Sequence, residues 1–393
     1  MAAVPFFRGI RAILLAIAAV LLVAAGDVAM RTYRRGAAFV VQAAGIEGVA
    51  RRVAGWQTVP VSQTLNGYTV PWHGGTLKAH AYQPYRVLGR GIMLVPGVHA
   101  AGIDEPRLVA FARDLASMGH PVLTVELPDL VHYQITPRTT DMIEDAATWM
   151  LRGAEYRGDD GRIGMMGISF GGGLTIVAAA RPSIRDKVAF AMSFGGHGDL
   201  PRTLRYLCTG IQPDGAARPP HDYGLAIVLL GAADNVVPRQ QVQPLRDAIL
   251  SFLEASRLDM VDKPRAAAEF ARAKSLEATL AEPSRTYMGY VNARDVKRLG
   301  PILLPHMAAL GGDPALSPSR SAAPACPVYL LHGTDDNVVP AIESVLLAKD
   351  LRARGVTVHQ LATPLITHAE VDRSSTASAI WRLIDFWSDL LDE

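Results

Sequence analysis

Cysteine is nearly absent. Cys208 and Cys326 are the two among 393 residues, and they lie far apart in the chain. That excludes a disulfide framework and a cysteine-rich zinc site, and it leaves the redox compartment open. Neither sign of charge is in excess. Lys and Arg number 39 against 37 Asp and Glu, a net charge of +2, so the basic surplus of a nucleic-acid binder is missing. The composition of disordered chains is missing too, since 49% of the residues are hydrophobic and 19% charged. Length and apolar share suit one large domain or two ordinary ones.

Long apolar runs are scarce, with one exception. Ala12 to Gly26 (AILLAIAAVLLVAAG) is unbroken, and Asp27 is the sole charge between Arg11 and Arg31. The 19 residues inside those arginines would span about 28 Å as a helix. One reading makes residues 1–35 a single-pass membrane anchor, with the membrane as partner. The other is a cleaved signal peptide, with Arg8 and Arg11 as its charged start and Val23-Ala24-Ala25 near the cut, giving a secreted or periplasmic protein. A buried soluble helix fits less well, because the run stands outside the pattern that follows. Arg8 and Arg11 are balanced by Arg31, Arg34 and Arg35, so sidedness is not readable.

From about residue 57 strand-like and helix-like segments alternate. Thr76 to Gln83 alternates in period two after His73-Gly74-Gly75 and reads as a hairpin arm. Short apolar runs at Gly91–Val95 and Val188–Phe194 predict buried strands, and further strands are expected at Pro121–Glu126 and Arg162–Gly167. Helical segments are expected at Glu105–Met118, around Thr140–Arg152, and from Gly172 to Ala180. The fold class this predicts is α/β, a mostly parallel central sheet with flanking helices. The alternation breaks near Leu200 and resumes near Pro327. Between them lie the turn Arg218-Pro219-Pro220, charged helical stretches at Gln241–Arg257 and Pro264–Ala281, and a stretch with the composition of a linker. In that last stretch, Gly311 to Pro327, nine of 17 residues are Gly, Pro or Ser. Residues 57–200 and 323–393 thus form the expected core, and 200–322 a helical cap insertion. Strand, helix, strand and closing helix are expected at Val328–Leu331, Ala341–Arg354, Thr357–Ala362 and Ser374–Leu391.

Gly167-Ile168-Ser169-Phe170-Gly171 fits G-x-S-x-G between a strand and a helix. A nucleophile on a sharp strand-to-helix turn crowds the residues two places either side, so Gly167 and Gly171 must lack side chains. The helix that follows turns its free N–H groups toward negative charge developing at the serine. The chain thereby resembles the α/β-hydrolase fold superfamily, in its serine esterase and lipase-like branch with a dienelactone-hydrolase-like core. The resemblance covers about 57–200 and 323–393. It implies a serine nucleophile, a histidine base, an acid orienting that base, and two main-chain donors forming an oxyanion hole, with no cofactor and no metal.

For the acid, two octapeptides compete. GAADNVVP (Gly231–Pro238) and GTDDNVVP (Gly333–Pro340) match at six of eight positions, each after an apolar run. The second completes the family's H-G-x-x-D-x-x-V-P pattern with His332. Asp336 follows a strand and precedes a helix, a strand and a candidate histidine 32 residues on, so both loops emerge at one sheet edge. Asp234 is followed by helical stretches and belongs to the insertion. Asp336 is the assigned acid. Asp335 beside it and Asp199 past the sixth strand are its rivals.

His368, in the loop after the last strand, is the expected base, and Ser169, Asp336, His368 is the chain order of this fold. His99 and His197 also fall near strand ends, and His332 is expected to brace the acid loop. Family members usually carry His-Gly at the end of the first buried strand; this chain has Pro96-Gly97. The resemblance places the oxyanion donors on the backbone N–H groups of Val98 and Phe170.

The activity implied is hydrolysis of a carboxylic ester through an acyl-enzyme, on a small-molecule or lipophilic ester. A serine peptidase, a thioesterase or an acyltransferase would carry the same triad. The segment LLHGTDDNVVP also resembles the prolyl-oligopeptidase branch, but about 55 preceding residues cannot build that branch's propeller. A dehalogenase would want Asp at position 169. A membrane-tethered binding protein that keeps the fold without activity is the alternative of another class. Natural substrate and oligomeric state are not readable.

Overall fold

Strands whose two faces are both apolar can only stack inside a layer of helices, and here they form one sheet. The structure, a computed structural model, describes residues 30–259, 261–366 and 377–393. The strands are β1 (Val61–Trp72), β2 (Gly75–Pro84), β3 (Ile92–Val95), β4 (Val122–Val125), β5 (Ile163–Ile168), β6 (Val188–Phe194), β7 (Val328–Gly333) and β8 (Val358–Thr363). Their order is β1-β2-β4-β3-β5-β6-β7-β8. The hairpin β1–β2 and the β2–β4 pair are antiparallel; every later pair is parallel. The expected α/β class and mostly parallel sheet are what the chain forms.

The pleat explains the continuous apolar runs. Ile92 and Leu94 of β3, with Val122, Met166 and Phe190, face a core shared with the helices Pro106–Ser117 and Ala377–Asp392. Met93 and Val95, with Leu123, Val125 and Met165, face the opposite core, built on Pro137–Met150 and Phe170–Ala179. Alternate residues thus meet different helices, which is why β3 is apolar at every position.

Residues 30–43 are helical and belong to the first of these cores. Phe39 is fully buried, with its ring 4.4 Å from that of Trp387, and Tyr33 lies 4.6 Å from Trp381. At Gly36 the helix approaches the closing helix so nearly that a Cβ would overlap Ser388 Oγ and crowd the Ile384 carbonyl. The apolar run Ala12–Gly26 lies outside the described residues. Among the described residues, no helix is long and apolar enough to cross a membrane.

Between β6 and β7 the chain builds helices at Leu200–Thr209, Asp222–Val236, Arg239–Leu258, Lys263–Thr279, Ser284–Asn292, Val296–Leu303 and Met307–Gly311. The segment expected to be a linker is instead an ordered strap. Leu316 and Ser317 are buried, the Leu316 carbonyl accepts from His197 Nε2 at 2.8 Å, and Ser317 Oγ accepts the Leu200 N–H at 2.8 Å. Pro and Ser build short tight turns as readily as they build linkers, and here Ser317 accepts a main-chain N–H while Ser319 donates to the Gly198 carbonyl.

Gly36→Val should force the helix of residues 30–43 off the closing helix. The expected loss is about 1–3 kcal/mol of unfolding free energy, read from a denaturant titration of the full chain.

Candidate active site

The serine turn is as tight as its glycines require. Ser169 sits between β5 and the helix Phe170–Ala179 at φ 53 and ψ −133. A non-glycine residue pays about 1–3 kcal/mol to remain in such a region, so the surroundings must hold it there. They do so through the main chain: the Ser169 N–H donates to Phe194 O at 2.7 Å, and its carbonyl accepts from Gly172 N–H at 2.8 Å. A Cβ on Gly167 would overlap the Gly171 carbonyl, and one on Gly171 would overlap the Pro96 carbonyl. A side chain at either position would unseat the turn. Ser169 is half-buried and its turn stands at the carboxyl end of the parallel strands.

The loop after β3 closes over this turn. A Cβ on Gly97 would lie 3.2 Å from Ser169 Cβ, so Pro96-Gly97 supplies the close approach for which the family uses His-Gly. Val98 follows directly. Among the described residues, neither the Val98 amide nor the Phe170 amide donates to another group. Strand order, a serine strained at the end of β5 and a glycine loop from β3 beside it now stand together. The chain has the α/β-hydrolase fold.

In that fold's frame Asp336 lies in the loop after β7, 2% exposed. Its Oδ1 accepts the N–H groups of Val338 at 2.8 Å and Val339 at 3.0 Å. Two amide donors stabilise the ionised carboxylate and fix its plane. His332, fully buried, shares Val339 O through Nε2 at 2.8 Å and lies 3.6 Å from Asp336 Oδ2. It braces the loop from beneath. His368 lies outside the described residues.

The rival acids are engaged elsewhere. Asp335 is 69% exposed and pairs with Arg218 at 3.2 Å. Asp234 sits inside the helix Asp222–Val236, 61% exposed, paired with Arg246. Asp199 caps the helix Leu200–Thr209 through the Arg202 N–H at 2.9 Å and binds Arg320 Nε at 2.6 Å. Burial alone would raise the Asp199 carboxyl. The hydrogen bonds from Arg320 and the Arg202 amide, with both guanidinium charges, outweigh it and hold the group below the usual aspartate range. His99 and His197 are also committed. His99 Nδ1 accepts the Ala101 N–H at 3.2 Å within its own loop, and His197 is fully buried against Leu316 O. Burial lowers the pKa of both imidazoles.

Two residues near the site gave no signal in the sequence. Tyr133, on the loop after β4, holds φ at 58, and burial pushes its phenol up to about 12, with the Ala100 amide as a neighbour. Glu343, fully buried, accepts from Arg202 at 2.6 and 2.8 Å and from the amides of Gly198 and Asp199 at 3.0 and 3.1 Å. It fixes the loop leaving β6. Among the described residues, no three His, Cys, Asp or Glu side chains are grouped to hold a metal.

No protein-family model matches the sequence, and no curated protein does. Solved structures similar to it include a hyperthermophilic esterase from the archaeon Pyrobaculum calidifontis, at 15% identity and a TM-score of 0.44, covering 91% of each chain. A putative dienelactone hydrolase from Klebsiella pneumoniae is similar at 14% identity and a TM-score of 0.41, covering 85% of this chain and 97% of that one. An acylaminoacyl peptidase from Pyrococcus horikoshii is similar at 14% identity and a TM-score of 0.41, over 85% of this chain but 41% of its own.

Two outcomes are expected. Gly171→Ala should displace the turn against the Pro96 carbonyl and slow labelling by a fluorophosphonate about 100-fold, with the helical content unchanged by circular dichroism. Asp199→Asn should cost stability at neutral pH while activity stays within about twofold, because the group is structural. A lowered folded-state pKa stabilises above the ordinary aspartate value and loses that contribution as pH falls through the lower one. The deficit of the variant should therefore shrink below about pH 3.9, measured by unfolding at several pH values.

Proposed function

We propose that the protein is a serine hydrolase that cleaves carboxylic esters through an acyl-enzyme. The observation that carries the reading is the strained backbone of Ser169, held at the end of β5 beside a glycine loop. A structure bears that cost where the hydroxyl must stand clear of its neighbours.

In this reading His368 takes the Ser169 proton as Oγ attacks the ester carbonyl. Asp336 stabilises the imidazolium and holds its tautomer. The carbonyl oxygen, now negative, falls to the amides of Val98 and Phe170. Two main-chain donors already aimed at that position contribute about 3 kcal/mol each. The imidazolium returns the proton to the departing alcohol, and water then repeats the cycle on the acyl group. No step calls for a cofactor. The cap insertion roofs the site and sets acyl and alcohol preference. Lipophilic esters, met at a membrane to which the run Ala12–Gly26 tethers the enzyme, are the substrate class we favour.

The test is a fluorophosphonate probe on wild type and Ser169→Ala, followed by esters of graded chain length. Wild type should label, and the variant should lose labelling and turnover by about 10⁴-fold or more. Labelling that survives the substitution overturns the serine assignment. Labelling without turnover of any ester replaces ester hydrolysis with peptide cleavage or acyl transfer.

A further inference from the structure

The loop that carries Asp336 is held from two sides. Inward, the loop satisfies itself: Asp336 Oδ1 takes the Val338 and Val339 amides, and His332 takes the Val339 carbonyl. Outward, four hydrogen bonds from three residues at the start of the cap, Tyr206, Arg218 and His221, meet its carbonyls among the described residues. Arg218 Nη1 donates to Thr334 O at 3.1 Å and to Asp336 O at 3.3 Å, while Nη2 donates to Asp335 Oδ1 at 3.2 Å. The His221 N–H donates to Asn337 O at 2.8 Å, and the Tyr206 hydroxyl donates to the same oxygen at 3.2 Å.

Arg218 is itself fixed. Gly210, at φ 68, ends the helix Leu200–Thr209 and opens a small loop in which Gln212 N–H meets Ala216 O at 2.9 Å. The Arg218 N–H closes that loop on Gly210 O at 2.8 Å. Pro219 and Pro220 then restrict the backbone on its other side. The pairing with Asp335 is worth little, since that carboxylate is largely exposed. The contacts to Thr334 O and Asp336 O differ in kind, because they grip the peptide units either side of the acid.

We infer that Arg218 is a positioning residue for Asp336, clamping the main chain of the acid loop to the base of the cap. The inference rests on Asp336 being the acid of the proposed triad. It makes the cap part of the catalytic geometry and not only a roof over the substrate. A guanidinium suits the task, for its planar fork reaches two carbonyls and a carboxylate at once, which a lysine cannot match.

The experiment compares four variants of the full chain with wild type, reading kcat, KM, labelling rate and unfolding midpoint. Asp336→Asn should lower kcat at least about 100-fold; if it does not, the triad reading fails and the clamp with it. Given that loss, Arg218→Met should lower kcat about 10–100-fold through misplacement of the acid. KM should stay within about twofold, with the unfolding midpoint nearly unchanged. Arg218→Lys, keeping the charge and one carbonyl contact, should recover part of the loss, about threefold to tenfold. Arg246→Ala, which breaks a cap ion pair away from the acid loop, should leave kcat unchanged. The clamp is overturned if Arg218→Met keeps wild-type kcat while Asp336→Asn loses it. It is equally overturned if Arg246→Ala falls in step with Arg218→Met, since general loosening of the cap would then be the cause.

Discussion

The structure depends on backbone meeting backbone around Ser169. The carbonyl of Pro96 and the α-carbon of Gly171 touch, Gly97 lies against the serine, and Gly167 lies against the next turn of the helix. A side chain at Gly167 or Gly171 would overlap its neighbours, and one at Gly97 would press on the serine. Ser169 keeps a left-handed φ because three segments close on it at once: the ends of β3, β5 and β6. The cost of the strained residue is met by hydrogen bonds to Phe194 and Gly172 and by the helices packed on both faces of the sheet. A turn of this sort is stable only inside a finished fold, and so it is a product of the whole sheet and not of its five residues.

The same principle orders the periphery. Asp336 lies on a loop that the sheet supports from one side only, and the chain supplies the other side from residues 206–221. The loop leaving β6 is fixed by Glu343, from the helix Ile342–Ala353 that joins β7 to β8, and by Ser317, Ser319 and Arg320 from the strap. Loops at the carboxyl ends of parallel strands have few sheet partners of their own. Here they borrow them from segments distant in sequence.

Much of this was legible in the sequence, for identifiable reasons. A strand buried on both faces draws mostly apolar residues, which made β3, β4, β5 and β6 plain even with Thr124 and Ser193 buried among them. The glycines at 167 and 171 announced the turn because no other residue fits. The near-repeat was harder, since GAADNVVP and GTDDNVVP differ little as strings. One closes a helix with Asp234 exposed; the other leaves β7 with Asp336 buried under two amides. What followed each of them in the chain told them apart, as the local residues could not. The strap misled through composition: Ser and Pro mark flexible linkers and hydrogen-bonded turns alike. The helix of residues 30–43 was missed because its buried face emerges only against Trp387 and Ser388, more than 300 residues away. Tyr133 gave no signal, since nothing in a tyrosine foretells a positive φ.

The contact between Pro96 and Gly171 has one more consequence. It sets the spacing of the Val98 and Phe170 amides by main-chain geometry alone, whatever side chains those two positions carry. If those amides receive the oxyanion as proposed, the side chain at position 98 could be changed and their power to quiet a nascent anion left intact. In that proposal, substrate taste and chemical competence are written in separate parts of the same few residues.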